Sequence, residues 1–215
     1  MHVLMPEAHS PGAQAAAEGL RAAGHTVSVC HPGGHSGPWC VALVDGSCPL
    51  ETLPVDATVV VRPVEVGDFL PFEAGVVCAA RCLVPLVVAG EIDPFSATDS
   101  GTDHPYRTWA AAEQYGTDVT ETVEAVVHAP LPRHSAVASA AVRDTLRTHG
   151  FDPGGSSAEV YRREGGLLIR MIEPEPGIDD KVMRTAAVRA CGAVRQLDRW
   201  ASGIDVTIQH AMANG

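Results

Sequence analysis

The chain has 215 residues, of which 46% are hydrophobic and 19% charged, and its formal net charge is −11. This apolar content is typical of a folded chain with a core and excludes an intrinsically disordered protein. Apolar runs such as 57–61 and 85–89 are far shorter than the roughly 20 residues of a transmembrane helix, and phosphate binding needs a positive surface. We therefore expect a cytoplasmic protein with neither a membrane nor a nucleic acid as its partner. Lys181 is the single lysine, and this preference for arginine is typical of a GC-rich bacterial genome.

Short apolar runs alternate with helical patterns over residues 1–128. The pattern predicts strands at 2–5, 26–30, 40–44, 57–61 and 83–89, and helices at 12–23, 73–82, 106–115 and 119–127. Buried strands joined by helices are typical of a parallel sheet that is covered on both faces. The first module is therefore predicted to be a small doubly wound (flavodoxin-like) α/β domain.

A second module is indicated by a change in charge. Residues 1–128 carry 16 acidic and 4 basic side chains, a net charge of −12, whereas residues 129–215 carry 10 acidic and 11 basic side chains, a net charge of +1. Pro130 and Pro132 place a linker at 129–135, because proline is excluded from helix interiors and paired strands.

In the second module, residues 136–215, the predicted helices and strands follow a different order from those of the first. The pattern predicts a helix at 136–148, strands at 158–163 and 167–172, a helix at 179–200 and a strand at 204–209. This α-β-β-α-β order indicates a small α+β sandwich, with one antiparallel sheet and both helices on one face. We expect this module to serve in association.

Ligands of open α/β sheets bind beyond the carboxyl ends of the strands, so the loops that follow the strands are the places to search. The sequence contains neither GxGxxG after the first strand nor GxxxxGK[ST], which argues against a dinucleotide site or a P-loop. The loop with the most charged side chains spans residues 62–75. Near its end, Glu73 provides a carboxylate at the start of a predicted helix.

This region resembles a known family. The match consists of the Asp56-initiated strand (DATVVV), the pair Gly67-Asp68, the segment 72–80 (FEAGVVCAA) with its Glu-x-Gly, and the run 84–88 (VPLVV). The opening, an apolar strand that ends in Pro6, is also similar. Together these features resemble the nucleoside 2-deoxyribosyltransferase family and its nucleotide N-glycosidase relatives, over about residues 1–128.

The resemblance implies a site and a chemistry. Glu73 would be the nucleophile at the anomeric carbon, and Asp68 would bind the sugar hydroxyls. Independently of the resemblance, we expect substrate contacts from Arg62, which at a strand end can hold a phosphate or a carboxylate, and from Pro6, Glu65 and Gly75. A carboxylate there can stabilise an oxocarbenium-like transition state or form a glycosyl-enzyme, so the expected substrate is a nucleoside or a nucleotide. The family also implies a homo-oligomer.

Two other interpretations stay open for this loop. Glu73 could simply stabilise the positive end of the helix that follows it, an effect of roughly 0.3–1 kcal/mol. The pairs Arg62-Pro63 and Leu70-Pro71 stand where the family has polar or small residues. These differences favour a catalytically inactive module that senses a ligand or mediates protein interaction.

The other potentially reactive side chains, mainly cysteines and histidines, predict neither a metal site nor a cofactor. Cys30, His31, His35, Cys40 and Cys48 include zinc-ligand types but lack a CxxC pair, and Cys78 with Cys82 is expected to face the core. His104, His128 and His134 are expected at the surface. The arginines of the last helix, Arg184, Arg189, Arg195 and Arg199, predict a solvated face or a docking surface for a homo-oligomer or an acidic partner.

Overall fold

We analysed a computed structural model of the chain. It describes residues 1–32, 40–44, 46–62, 74–90, 109–163, 166–174, 177–199, 201 and 203–210. The chain divides into two compact units, Met1–Val127 and His128–Gly215, which we call unit 1 and unit 2. Among the residues described, no helix is long and apolar enough to cross a membrane.

Unit 1 is built around a parallel sheet. Its strands are β1 (His2–Met5), β2 (Thr26–Val29), β3 (Ala57–Arg62), β4 (Leu86–Gly90) and β5 (Ala110–Tyr115). Its helices are α1 (Pro11–Ala22), α2 (Val41–Val44), α3 (Pro49–Thr52), α4 (Ala74–Arg81) and α5 (Thr120–His128), whose last residue lies across the unit boundary. The strand order is β2-β1-β3-β4-β5, and all the pairings are parallel. This is the flavodoxin-like order, so the predicted doubly wound domain is confirmed.

Both faces of this sheet are covered. Every residue of β3 and of β4 is buried. On one face Val59 packs with α1 and α5, and on the other face Val60 packs with α4. Alternate side chains of a strand point to opposite faces, so a strand buried on both faces needs the continuous apolar run that these strands have.

Two predicted elements of unit 1 were wrong. Residues 41–44 form the single helical turn α2 rather than a strand, because a run of four apolar residues has no periodicity that separates the two. Residues 110–115 form the edge strand β5 rather than part of a helix. Their alanines favour a helix locally, but pairing of Ala110 and Ala112 with β4 outweighs that propensity.

Unit 2 has the predicted α-β-β-α-β order. Its elements are α6 (Pro132–Thr148), β6 (Ser157–Arg163), β7 (Gly166–Glu173), α7 (Asp180–Leu197) and β8 (Ile204–His210). Arg163 pairs with Gly166, so β6 and β7 form a tight antiparallel hairpin. The burial of β7 alternates strictly, and its buried residues pack with both helices in one core. Both helices therefore lie on one face of the sheet, as predicted.

The prediction of a purely antiparallel sheet in unit 2 was wrong, because β8 runs parallel to β7. The helix α7 carries the chain back along the sheet, so that β8 starts level with the start of β7. The sheet is therefore mixed, in the order β6-β7-β8.

The first helix of unit 2 also differs from its prediction. It begins at Pro132, four residues before the predicted start, because proline fits the first position of a helix, where no backbone donor is needed. This start brings His134 inside the fold. His134 is only 2% exposed, and its Nε2 lies 3.2 Å from Oδ2 of the equally buried Asp198. The expectation that His134 lies at the surface was therefore wrong.

Candidate functional site

The carboxyl ends of the parallel strands meet at one edge of the unit 1 sheet. In this strand order the connections reverse direction between β1 and β3, which is where such sheets bind ligands. The described residues at this edge that concern a site are Pro6, Glu7, His31, Arg62 and Gly75. We call these five residues the carboxyl-edge cluster.

Gly75 brings α4 against the end of β1. It is buried in the first turn of α4. A Cβ atom on Gly75 would lie 3.3 Å from Cys30 Sγ and 3.6 Å from the Cα of Pro6. Any larger residue would require the sulfur to move by a few tenths of an ångström. Glycine therefore allows a close approach here, and two predicted site residues, Pro6 and Gly75, are brought together.

Arg62 is the last residue of β3 and is only 6% exposed. Its register partner on β4 is Gly90. The preceding residue, Val61, lies against α1, because a Cβ atom on Gly12 would be 3.1 Å from Val61 Cγ1. Arg62 therefore lies at the end of the strand next to β1, at the switch in strand order.

Three predicted residues, Glu65, Asp68 and Glu73, lie outside the described residues. The separation between Glu73 and a second carboxylate, which would distinguish glycosidic chemistry from a capping role, is therefore a quantity for experiment. What the structure gives is the position of the following residue, since Ala74 begins α4.

Glu7 is a member of the cluster to which the sequence reasoning assigned no role. Its carboxylate accepts hydrogen bonds from the backbone N–H of His9 (2.6 Å) and of Ser10 (3.1 Å), and from the hydroxyl of Ser10 (2.8 Å). Ser10 in turn caps α1, because its oxygen accepts the N–H of Ala13. A carboxylate directly after a buried strand and three residues before a capping serine was the available signal.

Five of the six cysteines lie in unit 1, and Cys191 lies in unit 2. All six cysteines are free. Burial, together with smaller contributions from the neighbouring Cys40, Cys48 and Cys78, raises the pKa of Cys30 to about 12. Cys78 is exposed, so the expectation that it faces the core was wrong, whereas Cys82 is partly buried against the core. In the described part of the chain, no three metal-ligating side chains are arranged to hold an ion. Since the thiolate is the nucleophilic and ligating form, Cys30 is chemically unreactive at neutral pH.

A cavity of unit 2 lies apart from every predicted site residue. It has a volume of about 150 Å³ and is lined by Glu173, Asp180, Met183, Arg184 and Ile208. Glu173 is buried, and its Oε1 accepts the N–H of Ile178 at 3.3 Å. Its acidic lining comes from Glu173 at the end of β7 and from Asp180 at the start of α7, and nothing in its geometry marks a ligand.

Comparison with known proteins adds no assignment to this geometry. No protein-family model matches the sequence, and no curated protein matches it. The resemblance described above therefore depends on the residues quoted for it.

Proposed function

We propose that unit 1 binds a nucleoside or a nucleotide at the carboxyl-edge cluster and cleaves or transfers at its N-glycosidic bond, with Glu73 as the nucleophile. Such a protein would be a hydrolase or a transferase. The proposal is supported most directly by the packing of Gly75. Glycine of the Glu-x-Gly sequence is buried against Pro6 at the end of β1, beside the switch in strand order. We therefore propose that Glu73, two residues before Gly75 in the chain, acts on a ligand bound at this edge.

Besides this nucleophile, the reaction requires few other groups from the chain. A glycosidic bond to a base breaks through an oxocarbenium-like transition state, which a carboxylate stabilises by charge or by forming a covalent glycosyl intermediate. In that intermediate the carboxylate oxygen bonds to the anomeric carbon while the base leaves with the bonding electron pair and takes up a proton. Water or a second base then displaces the carboxylate. Asp68 or Glu65 would orient the sugar, and Arg62 would bind an anionic group.

Release of free base tests this function. We expect the purified protein to release base from at least one member of a panel of 2′-deoxynucleosides, ribonucleosides and their 5′-monophosphates, followed by chromatography. Glu73→Gln removes the nucleophile and should abolish release, because covalent catalysis has no substitute for it. Glu51→Gln, an exposed carboxylate of α3, is the matched control and should retain full activity.

Absence of release from a folded protein across the panel would contradict the catalytic proposal. If nucleosides still bind, the alternative function applies, in which unit 1 senses the ligand without converting it. Release that survives Glu73→Gln would refute the role of Glu73.

A role for unit 2 in association is favoured by its surface charge. The outer sides of α6 and α7 expose seven cationic side chains, which we call the basic helical face: Arg133, Arg143, Arg147, Lys181, Arg184, Arg189 and Arg195. The same helices expose two acidic side chains, Asp144 and Asp180, so the net charge of this face is 7 − 2 = +5. Arg189 Nη1 lies 3.7 Å from Asp144 Oδ2, so the two helices present one continuous surface.

Unit 1, with its net charge of −12, is the acidic surface that this chain itself supplies. We therefore propose that the basic helical face of one copy contacts unit 1 of a second copy, which gives a homo-oligomer held largely by opposite charges.

A further inference from the structure

His31 carries an unpartnered polar atom inside unit 1. The residue is 8% exposed and directly follows Cys30 at the end of β2. Its backbone N–H donates to the carbonyl of Pro6 at 2.9 Å, which holds it beside the end of β1. Its Nε2 is buried and has no hydrogen-bond partner among the residues that the structure describes. Buried polar atoms are nearly always hydrogen-bonded, so an unpartnered one calls for a partner beyond the described residues, such as a water molecule or a group of a ligand.

The surroundings of His31 are tied together by the polar side chains of the β1–α1 loop. The ring of His9 donates from Nε2 to the carbonyl of Pro32, the residue after His31. Glu7 holds the other side of the same loop through His9 and Ser10. His31 therefore lies at a corner of the carboxyl-edge cluster that these hydrogen bonds hold together.

The electrostatics of this corner disfavour an anion. Burial lowers the pKa of His31, so its imidazole is neutral at neutral pH and can exchange one hydrogen bond but adds no positive charge. The N-terminus of α1 would ordinarily attract a phosphate. Here the carboxylate of Glu7 already accepts the N–H groups of His9 and Ser10 and brings a negative charge to the same place. A phosphate at this corner would meet a carboxylate and find those donors in use.

We propose that Nε2 of His31 hydrogen-bonds an uncharged hydroxyl, carbonyl or amino group of the ligand, and that this corner accepts the unphosphorylated part of a nucleoside. His31 thus determines specificity at the site whose function is proposed above, and the inference rests on that proposed function. Any phosphate of the ligand must lie elsewhere along the edge, toward Arg62.

Titration calorimetry with the four 2′-deoxynucleosides and their 5′-monophosphates tests the inference, using the Glu73→Gln protein so that no ligand is consumed. His31→Leu removes the hydrogen bond at similar volume and should weaken nucleoside binding about tenfold, the effect of one lost hydrogen bond that leaves a ligand group unpaired. His31→Gln presents an amide near the position of Nε2 and should restore binding to within about threefold. The control is His25→Leu, because His25 precedes β2 at the opposite edge and contacts Glu124.

A second measurement separates a binding role from a structural one. The melting temperature of ligand-free His31→Leu should equal or exceed that of the parent, because Nε2 of the native ring forms no hydrogen bond with the described residues that the substitution could break. Unchanged nucleoside binding in His31→Leu, or a lower melting temperature with unchanged binding, would overturn the inference and leave the proposed function standing. A parent protein that binds neither these eight ligands nor the corresponding ribonucleosides and their 5′-monophosphates would overturn both. Tighter binding of monophosphates after Glu7→Gln is expected, because the competing charge is removed.

Discussion

The two sheets of this protein bury their side chains in different ways. In unit 1, β3 and β4 are buried on both faces and lie between helices, whereas in unit 2, β7 alternates between a buried face under α6 and α7 and a second face that is only partly covered. The second face carries polar contacts. Tyr161 donates to Glu159, and the guanidinium of Arg170 lies 4.8 Å from the centre of the Tyr161 ring. A strand covered on both faces has no exposed side chain along its length, so β3 and β4 can contribute to a site only at their ends.

The largest expected effect comes from truncating neighbouring residues in the two sheets. Val59→Ala and Val60→Ala should each lower the free energy of unfolding of unit 1 by about 2 kcal/mol, because both side chains are buried, one on each face. In β7, Ile169→Ala should cost about 2–5 kcal/mol. Leu168→Ala, on the partly covered face, should cost about 1 kcal/mol or less.

Hydrogen exchange at increasing urea concentration reports the two units separately and measures these four values. If Leu168→Ala and Ile169→Ala lower the free energy of unfolding equally, the second face of the unit 2 sheet is covered in solution. The two sheets would then not differ in how many of their faces are buried.

An intermediate effect is expected from the charge contrast between the units. The double substitution Arg147→Glu with Arg195→Glu reverses two charges on the basic helical face and should weaken self-association about tenfold at low salt. Sedimentation velocity at 50 and 500 mM salt would measure it, and the parent should dissociate at the higher concentration because salt screens exposed charges.

The matched control places the same charge change on unit 1. Arg21→Glu with Arg81→Glu alters two exposed arginines there and should leave association unweakened, since it makes the acidic surface more acidic. A parent that is monomeric at 50 mM salt, or an oligomer that is insensitive to salt, would contradict charge-driven association.

The smallest expected effect is an acid sensitivity confined to unit 1. Burial lowers the pKa of His31 in the folded state below its value in the unfolded chain, where the pKa of histidine is about 6.5. The unfolded state therefore binds more protons as the pH falls below that value, and the stabilising contribution that is complete above it is lost as the pH approaches the folded pKa.

Urea unfolding between pH 7.5 and 4.5 would show this loss in the parent, and His31→Leu should reduce it in unit 1 alone. The control His128→Leu, at an exposed position, should leave the profile unchanged. Identical pH profiles for the parent and His31→Leu would show that His31 does not titrate with folding.

The sequence determined the architecture of both units through the pattern of burial. Continuous apolar runs at 57–61 and 84–89 can fold only where both faces are covered, and the alternation at 167–172 fits a sheet covered on one face. The helix ends followed from local chemistry as well. Gly24 and Gly150 have positive φ angles of 87° and 81° directly after α1 and α6, conformations that glycine adopts at little cost.

Tertiary contacts decided those features for which the local sequence pattern favours two structures equally. The alanines of β5 form a strand because β4 offers a free edge, and β8 is parallel because α7 returns the chain to the start of β7. Burial of His134 with Asp198 and the convergence of Pro6, Glu7, His31, Arg62 and Gly75 at one edge depend on contacts between segments far apart in the chain. Periodicity reports how one segment faces its surroundings. It does not report which other segment packs against that one, and a functional site is formed where such segments pack together.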